Sequence, residues 1–178
     1  MNILKSIIIL ALFSITACKS EAQQNADKSV FSGTSQDVGI VTTFDQLSKY
    51  YNLKSDTTYV INFWATWCKP CVAELPFFNN TARELKGKKV QFIFVCLDFI
   101  STIEKKVKPF LIKNPLAGKV VILGDQDINT WGSEVDPKWD GAIPVTMLVG
   151  NNKKATRLGS FKDDNDLKTF IINNLINN

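Results

Sequence analysis

The sequence predicts one α/β domain, a central mixed β-sheet of four to five strands with helices on both faces. Two runs, Thr58 to Trp64 and residues 90–97, are almost wholly apolar and rich in β-branched and aromatic side chains, the composition of strands covered on both sides. Each is followed by a stretch of helical character, the alternation expected of parallel strands joined by crossover helices. Two further strand patterns flank Gly150-Asn151-Asn152-Lys153, a hairpin turn by composition. With 45% apolar residues in 178, the chain has enough to bury one core of ordinary domain size.

Residues 1–17 read as a secretion signal: Lys5 supplies a short positive region, residues 7–15 an apolar stretch, and Ile15-Thr16-Ala17-Cys18 a small-residue cleavage site closing on a cysteine. This end of the segment resembles a bacterial lipobox. The resemblance implies that Cys18 is lipidated and that the domain is held outside the cytoplasm on a bacterial membrane, facing the periplasm or the cell surface. The apolar run is shorter than the ~18–20 residues needed to span a bilayer. Residues 18–38 hold few bulky apolar side chains, Val30 and Phe31 among them. They are expected to form a flexible tether, because so little burial cannot offset ordering entropy. The domain is expected over residues 39–178.

Phe44, Leu47 and Tyr51 recur at helical spacing after Thr43, a candidate N-cap, and predict about two turns of helix. After the first buried strand, residues 69–85 predict a helix stopped by Gly87. Residues 102–112 predict a third helix, interrupted at Pro109. Residues 119–123, 143–149 and 155–161 predict strands. Residues 164–175 predict a closing amphipathic helix with Leu167, Phe170, Ile171 and Leu175 on one side.

Composition excludes several kinds of chemistry. There is no His in the chain, which removes the commonest metal ligand and the usual general base, leaving thiols, carboxylates and lysines. The net charge of +4 falls to +3 once Lys5 is set aside, too mild a balance for nucleic acid, which demands basic residues gathered on one face. No metal and no cofactor are expected. Nothing in the pattern argues for a dimer, so a monomer is the expectation.

Trp64-Ala65-Thr66-Trp67-Cys68-Lys69-Pro70-Cys71 stands where a buried strand hands over to a helix. As half of a zinc site the cysteine pair lacks its other half, since Cys96 lies alone in a strand and Cys18 belongs to the signal. As a structural disulfide it would close a very small loop and constrain little. Redox work is the favoured use. Cys68 at the helix start faces unpaired N–H groups and the positive end of the dipole, which favour a thiolate, and Lys69 adds a cation beside it. Cys68 is then the nucleophile and Cys71, one turn on, the resolving thiol. Pro70 in the first turn costs no hydrogen bond. Pro76 lies in the helix interior, where a bend is expected that leaves the first turn intact.

The run Val60-Ile61-Asn62-Phe63-Trp64-Ala65-Thr66-Trp67-Cys68-Lys69-Pro70-Cys71, with Glu74 and Pro76 and then Ile143-Pro144-Val145-Thr146, resembles the TlpA/ResA branch of the thioredoxin superfamily. The resemblance covers residues from about 39 to the C-terminus and implies a thioredoxin-like fold and a redox-active Cys68–Cys71 disulfide. In that family the residue matching Pro144 is a cis-proline beside the cysteine pair. Ile143, Pro144, Trp67, Lys69 and Pro70 are therefore the expected substrate-binding residues. The matching Glu influences the acidity of the thiols, so Glu74 joins Cys68 and Cys71 as a catalytic candidate. Asn62 stands where thioredoxin proper has an Asp; Asn cannot titrate, so it cannot accept the resolving thiol's proton.

The implied activity is thiol-disulfide exchange, with Pro70 tilting the direction toward reduction. The implied partners are exported protein thiols or disulfides, apo-cytochrome cysteines before haem attachment among them, and a membrane or periplasmic electron donor. Two other readings stay open: a binding or assembly module without turnover, and a thiol peroxidase, although Ala65 occupies the place of the Thr such peroxidases carry. Cys96 is expected to be a small buried hydrophobe, and Asp98 a capping or turn residue. Trp131 and Trp139 fit either a groove near the cysteines or a packing cluster.

Overall fold

The computed structural model describes residues 37–176. The signal segment, Cys18 and all of the expected tether except Asp37 and Val38 lie outside the described residues. Six strands form one sheet: β1 (Val38–Val41), β2 (Thr58–Trp64), β3 (Val90–Cys96), β4 (Lys119–Leu123), β5 (Val145–Gly150) and β6 (Lys153–Leu158). They are ordered β1-β4-β3-β2-β5-β6. The first four of that order run parallel, and β5 and β6 are antiparallel to their neighbours. The fold class is the expected one, with one strand more than expected.

Helices α1 (Lys69–Glu84), α2 (Lys108–Lys113), α3 (Ile128–Val135) and α4 (Asp164–Ile171) cover the sheet. The period-2 alternation of β2 sorts its side chains between two cores. Val60 and Trp64 face α1, α2 and α4 in one cluster with Phe78, Phe94 and Leu167. Ile61 and Phe63 face the other cluster, with Phe44, Leu47, Trp131 and Trp139. Both faces of β2 and β3 are therefore dry, which is why these strands read as continuous apolar runs.

The departures from expectation have local causes. The added strand, β1, is four residues long at the sheet edge, with only Val41 buried, and its partner β4 lies far along the chain. Gly39 in it leaves room for the Tyr50 ring, whose hydroxyl stands 2.3 Å from where a Cβ would be. Residues Phe44–Tyr50 form a 3-10 helix, and Thr43 makes no side-chain cap; instead the Thr42 N–H donates to the Gln46 side chain. Residues 100–113 pass through a 3-10 turn, a π-helical turn and then α2. Pro109 lies in the first turn of α2, so it opens that helix where its missing N–H has no partner to lose. Helix α3 was unexpected; Gly132 and Ser133 weaken its propensity, yet Ile128, Trp131 and Val135 carry its spacing and Asp127 caps it. The hairpin turns on Asn151 and Asn152, both at positive φ (50° and 57°), the geometry of a two-residue turn. This starts β6 at Lys153, two residues earlier than expected. Gly87, at φ +83°, follows the end of α1.

Phe78 of α1 is fully buried and meets Phe92, Phe94 and Phe161 edge-on at 6.5, 5.8 and 5.9 Å. Truncating it leaves a cavity where α1, β3 and the approach to α4 converge. Phe78→Ala is expected to lower the unfolding free energy by about 3–5 kcal/mol in chemical denaturation, with Phe78→Leu clearly milder; equal effects would contradict the cavity account.

Candidate active site

The end of β2 delivers the chain to Cys68, which caps α1 with extended backbone angles (φ −84°, ψ 97°). The Cys71 N–H, one of the helix's orphan donors, points at Cys68 Sγ from 3.3 Å. The two sulfurs are joined as a disulfide with Cα atoms 5.3 Å apart. Cys68 retains 5% exposure and Cys71 none, so the first sulfur is the one a partner can reach. Lys69 and Pro70 are exposed on the first turn, and Trp67 is 63% exposed beside Cys68. Trp67 therefore faces solvent. Across from the pair, Ile143 and Pro144 are linked by a cis peptide bond, and the Ile143 carbonyl oxygen lies 3.7 Å from Cys68 Sγ. Of the residues singled out from sequence, Ile143 and Cys68 are thus brought together from positions 75 apart.

Asp98 is the residue whose role here could not be read from its surroundings in the chain. It is 2% exposed, accepts the Thr66 N–H and the Thr66 hydroxyl, each at 2.7 Å, and receives the Cys96 S–H at 3.3 Å. It fixes the loop just before Cys68. The only sequence signal was a carboxylate at the C-terminal end of β3, beside the end of β2. Cys96 is fully buried, and burial pushes its thiol pKa far up, so it stays a neutral thiol.

Glu74 lies one turn beyond Cys71 on α1 and is 1% exposed. One carboxylate oxygen accepts from the Asn62 side-chain amide at 3.0 Å, the other from the Phe161 N–H at 2.9 Å. The same Asn62 amide nitrogen donates to the Thr146 hydroxyl at 3.1 Å. Burial raises the Glu74 pKa from its ordinary 4.5 to about 7, opposed by these two hydrogen bonds and by the charge of Arg157. Asn62 Oδ1 has no partner among the described residues.

A mixed sheet with helices on both faces, carrying a cysteine pair at the first turn of α1 opposite a cis-proline, defines a thioredoxin-like protein. The chain belongs to the Redoxin family, whose model matches residues 34–167. It is 32% identical over 95 residues to the thiol-disulfide oxidoreductase ResA of Bacillus thuringiensis (strain Al Hakam), a match covering 53% of this chain and 49% of the relative. The chain thus spans about half the length of that relative. Among the solved structures that share the fold are two interchange proteins. One is a putative thiol:disulfide interchange protein DsbE from Chlorobium tepidum (TM-score 0.53, 24% identity, 67% of this chain and 79% of that one). The other is a thioredoxin family thiol:disulfide interchange protein from Chlorobium tepidum TLS (TM-score 0.56, 20% identity, 69% and 82%).

The raised pKa of Glu74 has a consequence for stability. Between about pH 4.5 and 7 the folded chain keeps a proton that the unfolded chain has released, so raising the pH favours unfolding. The contribution is full below this window and is lost as the pH rises through it, by roughly 2–4 kcal/mol in all. Glu74→Gln removes the titration. The stability of the wild type minus that of Glu74→Gln, measured by denaturant titration from pH 4 to 8, should fall with pH and level off above about 7. A flat difference would refute the buried-acid account.

Proposed function

We propose that this chain is an extracytoplasmic thiol-disulfide oxidoreductase that reduces disulfides of exported proteins, with Cys68 and Cys71 as its catalytic pair. The observation that carries the reading is the Cys68–Cys71 disulfide at the start of α1, with a helix N–H directed at the more accessible sulfur. A thiolate in that place is stabilised by the backbone and by the helix dipole.

In the reduced protein, the Cys68 thiolate attacks one sulfur of a substrate disulfide. That S–S bond breaks, a mixed disulfide forms on Cys68, and the departing substrate thiolate takes up a proton. Cys71, deprotonated in turn, attacks Cys68 Sγ, closes the intramolecular disulfide and releases the second substrate thiol. Two electrons pass from the cysteine pair to the substrate, and a dithiol donor at the membrane or in the periplasm must return them. Glu74, with its pKa near 7 and its place one turn from Cys71, suits the exchange of the resolving thiol's proton. Trp67, Lys69, Pro70, Ile143 and Pro144 form the surface that receives the substrate chain, and apo-cytochrome cysteines awaiting haem are one class of substrate that the family resemblance suggests.

Residues 1–17 would be removed and Cys18 lipidated, leaving residues 18–38 as a tether that holds the domain near the membrane. Cys18→Ser should then move the protein out of the membrane fraction; unchanged fractionation would count against the anchor.

Reduction of a disulfide-bearing peptide by the reduced protein is expected to fall to the buffer rate in Cys68→Ser. Cys71→Ser should instead accumulate a mixed disulfide on Cys68, visible as a mass increment. A Cys71→Ser protein that traps no partner, or a wild type oxidised by peroxide but inert toward disulfides, would overturn the assignment.

A further inference from the structure

Trp139 stands outside the cysteine motif, yet it is tied to residues that face it. Its indole N–H donates to the carbonyl oxygen of Ala142 at 2.7 Å. Ala142 precedes Ile143, whose own carbonyl oxygen lies 3.7 Å from Cys68 Sγ, and the cis bond to Pro144 follows. The segment between Val135 and Val145 is neither helix nor strand; the Gly159 N–H fixes its far end by donating to the Pro144 carbonyl at 3.0 Å, and local ties set the path before it. Two of these are short side-chain turns: Asp136 accepts from the Lys138 N–H at 2.8 Å and Asp140 from the Ala142 N–H at 3.0 Å. Both lie at exposed positions, where water competes for the same groups.

The indole bond differs because its donor is anchored in the core. Trp139 is 9% exposed and its ring packs on Trp131 at 5.7 Å and on Phe63 at 5.8 Å. Phe63 belongs to β2, the strand that leads to Cys68. Trp139 therefore connects the element that delivers the attacking sulfur to the loop that delivers Ile143. Trp131 shares the stack and is 3% exposed, but its indole N–H has no hydrogen-bond partner among the described residues. Both indoles belong to one aromatic cluster, Trp131 stacked on Phe44 and Trp139 tilted on Phe63, and of the two only Trp139 bonds the loop.

We propose that Trp139 is a positioning residue for disulfide exchange: by holding the Ala142 carbonyl, its indole keeps Ile143 and Pro144 at the distance from Cys68 at which a substrate chain is seated. The proposal rests on the reading of Cys68 and Cys71 as an exchange pair, and it assigns Trp139 to substrate engagement while leaving the chemistry of the sulfur alone.

The test compares Trp139→Phe and Trp131→Phe in the full chain, each removing one indole N–H from the same stack. Trp139→Phe is expected to raise KM for a disulfide-bearing peptide about three- to ten-fold, the scale of one hydrogen bond, while iodoacetamide alkylation of reduced Cys68 stays within about twofold. Trp131→Phe should leave both unchanged. Equal rises in KM would assign the effect to packing and overturn the proposal, as would an unmoved KM in Trp139→Phe. Should Trp139→Phe fail to fold, the indole N–H resonances of the Cys71→Ser protein serve instead. Forming the mixed disulfide with the peptide is expected to shift the signal of Trp139 and leave that of Trp131 in place; an unshifted Trp139 would overturn the proposal. A chain that forms no mixed disulfide at all overturns the exchange reading and this proposal with it, whereas one that forms it with Trp139 unmoved overturns this proposal alone.

Discussion

An α-helix leaves its first N–H groups without partners inside the helix, and in this chain that of Cys71 points at Cys68 Sγ from 3.3 Å. That contact requires Cys68 to arrive in an extended conformation just as the helix begins, so the loop from the end of β2 has to be held. Asp98 holds it, taking both the N–H and the hydroxyl of Thr66 at 2.7 Å, while the Leu97 N–H bonds the Trp64 carbonyl at 2.8 Å. The parallel pairing of β2 and β3 sets Trp64 opposite Cys96 and so brings the two strand ends into register. A helix start is commonplace; what makes this one useful is a carboxylate 32 residues beyond Thr66 that stops the approach from wandering.

Beneath the sulfurs lies a second polar cluster, and it joins elements that apolar packing alone would leave free to slide. Glu74 of α1 accepts from Asn62 of β2 and from the backbone of Phe161, just before α4, and Asn62 in turn donates to Thr146 of β5. Burying a carboxylate is costly unless its oxygens are bonded, and both oxygens of Glu74 are. Two hydrogen bonds and a nearby Arg157 do not fully offset the loss of water, which is why the proton is held up to about pH 7. Arg157 is itself placed by Asp166 at 2.8 Å and lies over the Phe161 ring at 4.9 Å. The residue whose N–H binds Glu74 thus also carries the ring on which the compensating charge rests.

The parts of this architecture that were legible in sequence are those where one chemical pattern decides. β2, β3 and β4 announce themselves because both faces are dry, and α1 because a capping cysteine, a first-turn proline and a buried face coincide. Cys68 and Cys71 were legible for the same reason: the motif and its strand-to-helix setting agree. β1 was not, since a four-residue edge strand containing Gly39 gains its stability from pairing with β4, which no local pattern reports. α3 was missed because Gly132, Ser133 and Thr130 argue against a helix that Trp131 and Val135 impose by burial. Glu74 could be named as a candidate from its place in the motif, but its partners could not, because the Phe161 N–H is 87 residues away. Asp98 looked like a turn residue and is one in position, but its hydrogen bonds cross to another strand's end.

The two sulfurs end in different surroundings, and the difference orders the chemistry. Cys68 keeps a little exposure and a helix N–H; Cys71 has no exposure and belongs to the buried cluster with Leu75 and Phe78. An anion on Cys68 is favoured by the backbone that meets it, whereas an anion on Cys71 forms in a region of low polarisability, one turn from an acid that is itself poorly solvated. A charge on either group is costly in a region so short of water. Asn62 offsets part of this cost for Glu74 by donating to its carboxylate at 3.0 Å, and as a neutral amide it brings no further charge into the same space.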